Sequence, residues 1–155
     1  MTLTALAWLG MMAYAFHILE EYMLDWRDWA RNELKLPVEW NDFYVTNGIV
    51  VALGIAQAML AAELPLAALG FAGLMLINGI LMHIVPFART GRFSPGVFTA
   101  VVMFLPLGTA TFWTALSNNL VSPAVAVLGL ALGGLTLAFP IVMLNIKTKP
   151  FFRQA

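Results

Sequence analysis

Phe93 to Ile146 reads FSPGVFTAVVMFLPLGTATFWTALSNNLVSPAVAVLGLALGGLTLAFPIVMLNI, 54 residues with no Asp, Glu, Lys, Arg or His. A helix needs about 20 apolar residues to cross the hydrocarbon core of a bilayer, so this run is two crossings rather than one. The polar break Ser117-Asn118-Asn119 separates them, and Ser122-Pro123 after it is a good N-cap and first-turn pair. Ser94-Pro95 is expected to start the preceding span in the same way, and Pro65 the one before that. Working outward, Met1 to Leu19, Phe43 to Ala62 and Leu64 to Ala88 also lack Asp, Glu, Lys and Arg.

These runs predict five membrane helices over roughly 3–24, 43–62, 65–88, 95–117 and 123–146, in one domain covering 1–155. The fold class is all-α, an integral membrane helical bundle. Composition agrees: 61% of residues are hydrophobic and 10% charged, whereas soluble domains are about half apolar and a quarter charged. Lipid offers no partners for backbone amides, and the runs are too long and uniformly apolar for barrel strands. Asp25 to Asp42 is the only long polar region, with Trp26, Trp29 and Trp40. It reads as an amphipathic interfacial segment, because Trp favours the headgroup level and Arg27, Arg31 and Lys35 can share one helical stripe.

Five spans place the loop after the first helix, the loop after the third and the C-terminus on one side. Those segments hold Arg27, Arg31, Lys35, Arg89, Arg92, Lys147, Lys149 and Arg153, which is every Lys and Arg present. The positive-inside rule makes that side cytoplasmic and the N-terminus external. The expected location is a bacterial inner (cytoplasmic) membrane. A cleavable signal at residues 1–15 is disfavoured, since no positive charge precedes the apolar run.

Ionisable groups at membrane depth cost a few kcal/mol each on insertion scales and mark sites. His17-Ile18-Leu19-Glu20-Glu21 puts three of them at i, i+3 and i+4, on one face of the first helix. Asn47 on the second span and His83 near the end of the third lie at similar depth. Asn78 is five residues from His83 and thus rotated by roughly 140° in a regular helix, so it is expected to reach the site only from below or through water. Gly79, one turn before His83, is a candidate for leaving room for a ligand. Pro106 and Pro140 fall inside spans, where they kink the backbone and can widen a cavity. Thr99, Thr109 and Thr111 are expected to bond back to their own helices.

Together, His17-x-x-Glu20-Glu21, Asn78-x-x-x-x-His83 and Ser94-Pro95-Gly96 make the chain resemble the HXXEE family of small membrane proteins. The resemblance runs over almost the whole chain and marks His17, Glu20 and Glu21 as hallmark positions.

The leading functional expectation is an intramembrane enzyme acting on a lipophilic small molecule without a cofactor. Glu20, Glu21, His17 and His83 would be its catalytic groups, and Asn47, Asn78 and Gly79 would contact substrate. Two carboxylates close together away from water cannot both ionise cheaply, and an acid beside a base serves isomerisation, cyclisation, epoxide opening or hydrolysis. An alternative is a metal enzyme in which His17, Glu20, Glu21 and His83 hold iron, manganese or zinc, or in which the two histidines hold haem. A third reading is a proton-coupled transporter or small-ligand binding protein, which would have to form a homo-oligomer; Gly129-x-x-x-Gly133 could pack against another helix. The bland alternative is a polar network that only locks helices together. With no Cys, thiolate metal sites, disulfides and cysteine nucleophiles are excluded. Eight basic residues balance eight acidic ones, and nothing points to nucleic acid.

A reporter fused after Ala155 is expected to be active only in the cytoplasm and one inserted near Asn118 only outside. The opposite result at either position would overturn the orientation.

Overall fold

The computed structural model describes residues 1–152; Arg153, counted above among the basic residues, lies outside them. Among the described residues every regular element is helical. Five helices are long and apolar enough to cross a membrane: α1 (Leu3–Met23), α3 (Trp40–Leu60), α4 (Pro65–Thr90), α5 (Val97–Ser117) and α6 (Pro123–Lys147). The short α2 (Trp26–Glu33) joins α1 to α3, and a 3₁₀ turn, Pro150–Phe152, follows α6.

The helix starts follow local chemistry. Ser122 Oγ accepts from Val125 N at 3.4 Å with Pro123 in the first turn, as expected. Pro65 likewise opens α4. The second span begins three residues earlier than the uncharged run suggested. Glu39 and Asp42 form a reciprocal capping box, with Glu39 N donating to Asp42 Oδ2 at 2.9 Å, so two acidic residues belong to the helix start. Ser94-Pro95 does not open α5. Gly96 adopts φ 98° and the helix starts at Val97, with its cap supplied from elsewhere in the chain.

In the interfacial segment, Arg27 and Arg31 lie on α2, but Lys35 does not continue their stripe. The helix ends at Glu33, and Lys35 takes a left-handed conformation with φ 57°. Pro37, two residues on, disfavours helical backbone at Leu36. The apolar face of α2 packs Ala30 against Val38 and Leu144, with Trp26 and Trp29 beside them.

α4 is the central helix, touching α1, α3, α5 and α6. Its contact with α6 is backbone to backbone. A Cβ on Gly133 would fall 2.3 Å from Leu74 N and 2.4 Å from Gly73 C, and one on Gly73 would fall 2.8 Å from Gly129 O. Lipid supplies no hydrophobic force between helices, so close small-residue packing holds such pairs. The Gly129-x-x-x-Gly133 pair is therefore used within the chain and carries no argument for an oligomer.

Both central helices widen near the basic end. Gly79–Ile84 in α4 and Ala100–Phe104 in α5 are π-helical, and each stretch ends two residues before a proline, Pro86 and Pro106. Proline offers no N–H and its ring crowds the carbonyl four residues back, which favours the wider turn. α6 remains α-helical through Pro140. The helix ends that carry basic residues meet at one end of the bundle. There Lys147 pairs with Asp42, and Arg92 Nη1 lies 2.6 Å from Glu33 Oε1.

Candidate functional site

The polar residues of α1 divide between two tasks. Glu20 turns to the start of α5 and accepts from the backbone N–H groups of Gly96 (3.0 Å), Phe98 (3.1 Å) and Thr99 (2.8 Å). The Thr99 hydroxyl donates to the same carboxylate at 2.6 Å. The amides at the start of α5 thus find a charged acceptor on another helix, where the helix dipole also favours an anion. Glu21, one residue on, projects about 100° away. It is buried between the two histidines, with Oε1 3.6 Å from His17 Nε2 and 3.5 Å from His83 Nε2. The expectation of a Glu pair working as one acid–base unit gives way to a capping Glu20 and a free Glu21.

His17 and His83 are fully buried, and their rings meet edge to face with centroids 4.7 Å apart. His17 Nδ1 lies 2.8 Å from Thr99 Oγ1. The single hydroxyl hydrogen of Thr99 has two oxygen acceptors, Glu20 Oε2 at 2.6 Å and Gly96 O at 3.2 Å; with it given to either, Thr99 accepts from His17, which assigns the hydrogen to Nδ1 and a lone pair to Nε2. His83 Nδ1 lies 3.2 Å from Ser94 Oγ. Trp29 stacks over His83 from α2 at 6.3 Å and 18°, so the interfacial helix covers the centre. Gly96 presses its backbone onto both rings: a Cβ there would lie 2.6 Å from His83 Cε1 and 2.7 Å from His17 Cε1. With its positive φ, that position demands glycine for two separate reasons.

Asn78 joins this centre directly, its Nδ2 3.2 Å from His17 Nε2. The expectation that it would be rotated away assumed a regular helix. The π-helical stretch from Gly79 spreads the turn so that residues five apart come back toward one face. Gly79 borders no open space; a Cβ there would lie 3.3 Å from Ala100 Cβ and 3.7 Å from Phe104 Cβ, so it serves the approach of α4 to α5. Asn47 does not bond to either histidine in this way; it lines a cavity that Glu21 also borders and accepts from Tyr14 Oη at 2.8 Å. Thr111 bonds back to Leu107 O at 2.8 Å as expected; Thr99 Oγ1 also reaches back, to Gly96 O at 3.2 Å, and in addition bonds Glu20 and His17.

The cavity holds about 80 Å³ and is bordered by Glu21, Asn78, Asn47, Tyr14 and Trp26 together with apolar residues of α3, α4 and α6. Beyond it, α3 and α6 stand apart and leave an apolar groove of about 700 Å³. Asp42, Thr46, Val50, Thr136, Pro140 and Leu144 line both spaces. The groove faces the lipid side of the bundle, with the Asp42–Lys147 ion pair at its basic end.

The division of the carboxylates predicts opposite effects on stability. Glu20→Ala leaves the α5 amides without their acceptor and should destabilise the protein by about 2–4 kcal/mol, since bonds to a charged acceptor are each worth roughly 1.5–3 kcal/mol. Glu21→Gln should leave stability unchanged or raised, because a neutral amide is cheaper to bury. Thermal unfolding in detergent measures both; equal losses would contradict the assignment.

No curated protein and no solved structure matches the chain. Residues 8–111 match the family described as "Protein of unknown function with HXXEE motif". That span contains side chains that lie against the two imidazoles, from Tyr14 through Thr99 to Phe104, while α6, which lines the cavity, lies beyond it. His17, Glu20 and Glu21 are the motif itself, and the chain belongs to the HXXEE family.

Proposed function

We propose that this protein is a membrane-embedded enzyme acting on a lipophilic small molecule at the His17–Glu21–His83 centre. One observation carries the reading: a buried carboxylate between two imidazoles borders a cavity that shares its wall with an apolar groove on the lipid side. A structural network would satisfy its own donors and acceptors. Here Glu20 does the structural work, whereas His83 Nε2 is buried with no hydrogen-bond partner among the described residues and Glu21 stands beyond ordinary hydrogen-bond distance from both rings.

The groove and cavity together are of the size that holds small-molecule ligands, about 300–1,000 Å³. An apolar chain would lie in the groove, and the polar end of the molecule would reach Glu21 past Asn47 and Asn78. The chemistry is polarisation of a substrate oxygen and movement of a proton at it, the shared requirement of isomerisation, cyclisation, epoxide opening and hydrolysis. The Thr99–His17 contact presents the His17 Nε2 lone pair to the centre, and α2 with its tryptophans excludes water from above. With the basic end cytoplasmic, the molecule would enter from the inner leaflet.

The test compares the lipid extracts of cells expressing the wild-type protein, Glu21→Gln and no protein. A lipophilic species gained or consumed with the wild type alone is expected, with Glu21→Gln reducing the change by at least about 100-fold, as for loss of an acid–base group. Identical extracts from wild type and Glu21→Gln, both present in the membrane at equal level, would overturn the reading.

A further inference from the structure

We infer that His17 Nε2, His83 Nε2 and Glu21 Oε1 together bind one divalent first-row transition-metal ion of the zinc or iron(II) class. The inference deepens the enzyme reading, but it rests on donor geometry and stands without it. The three donor atoms lie within 4.8 Å of one another. Glu21 Oε1 is 3.6 Å from one nitrogen and 3.5 Å from the other. Those separations are too long for hydrogen bonds, whose N···O distances run to about 3.2 Å. These two separations approach the roughly 3.3 Å between neighbouring donors around a tetrahedral ion with bonds of about 2.0–2.2 Å, and the two imidazoles would draw together onto the ion from their place within 4.8 Å.

A second observation points the same way. The His83 side chain is fully buried, and its Nε2, directed at Glu21, has no hydrogen-bond partner among the described residues. Buried polar atoms are rarely left so, and an ion supplies the missing partner. The far sides of both rings are held as metal-binding imidazoles require. His17 donates from Nδ1 to Thr99, which Glu20 fixes in turn, and His83 Nδ1 meets Ser94. Two imidazoles and one carboxylate, with no thiolate, suit zinc, iron(II) or manganese rather than copper(I) or calcium. Glu20 is not a ligand, because both its oxygens are engaged by α5. Haem does not fit: the rings lie edge to face at 4.7 Å with the Gly96 backbone against them, which leaves no slot for a macrocycle. Asn78 Nδ2, 3.2 Å from His17 Nε2, would give up that nitrogen to the ion; Glu21 and Asn78 border the cavity, so the ion is reachable by the polar end of a molecule lying there. It would supply Lewis acidity to the centre, with the three side chains as its ligands.

The experiment uses the full chain purified in detergent, stripped with a chelator and reloaded separately with zinc and iron(II). Elemental analysis of the wild type should find about one ion per chain. Glu21→Gln and His83→Gln should bind at least about 100-fold more weakly, and Ser94→Ala, which only positions His83, about 10-fold more weakly. Glu63→Gln, on the opposite end, should bind as the wild type does. Helix content by circular dichroism shows that each variant is folded. Should both ligand variants fail to fold, cobalt(II)-loaded wild type reports the site by itself through visible bands of a four- or five-coordinate nitrogen–oxygen ligand set. A reloaded wild type with no more ion than folded Glu21→Gln, or cobalt showing only its six-coordinate aqueous spectrum, would overturn the inference. An ion bound as expected without any change in membrane lipids would sink the enzyme reading and leave the metal centre. Altered lipids with no bound ion would do the reverse.

Discussion

The carboxylate of Glu20 and the backbone amides of Gly96, Phe98 and Thr99 form the contact on which the basic end of this bundle depends. α5 begins after a left-handed glycine and has no side-chain cap of its own, so its first amides would face an apolar environment unpaired. In lipid each unpaired group costs several kcal/mol. Glu20 supplies the acceptor across 76 residues of sequence to Gly96, and its negative charge lies where the dipole of α5 favours it. In doing so it draws the Ser94-Pro95-Gly96 loop onto the two imidazoles, aligns Thr99 with His17 and leaves Ser94 beside His83. The geometry of the centre is a consequence of that one capping interaction.

What remains after Glu20 is spent is a set of groups that no structural task absorbs. Glu21 is desolvated beside two imidazoles without a hydrogen bond to either, while Trp29 of α2 stacks on His83 and Trp26 lines the cavity that Glu21 borders. An arrangement of this kind is unfavourable to folding and persists because tight packing elsewhere compensates for it. That packing is visible in α4, whose backbone lies against α6 at Gly73, Gly129 and Gly133. The same two helices leave α6 exposed on its α3 side, which is how the groove arises.

Most of the architecture was legible in residue order. Charge-free runs placed all five spans, and the one-sided Lys and Arg pattern implied the helix ends that the Lys147–Asp42 and Arg92–Glu33 pairs bring together. The HXXEE spacing and His83 marked the centre. Four things escaped. Asn78 was judged by regular helical rotation, and only the widened turn before Pro86 brings it to His17; a proline seven residues after a lone Gly is too weak a signal to foresee that. Ser94 reads as an ordinary N-cap, and nothing local says that its hydroxyl instead meets a histidine 11 residues back. Thr99 and Glu20 were assigned to the wrong tasks because their pairing spans 79 residues, which single-helix periodicity cannot register. Tyr14 and Trp29, both against the histidines, look like common membrane aromatics.

Glu20 acts through Thr99 to fix His17 with its hydrogen on Nδ1 and its Nε2 lone pair facing Asn78 and Glu21. Nitrogen-15 NMR of the protein with ¹⁵N-labelled histidine in detergent micelles tests this most directly, since the two ring nitrogens differ widely in shift according to which carries hydrogen. The account predicts a His17 resonance pair with hydrogen on Nδ1 and none on Nε2, a pattern lost in Thr99→Val. Hydrogen on Nε2 of His17 in the wild-type protein would contradict it.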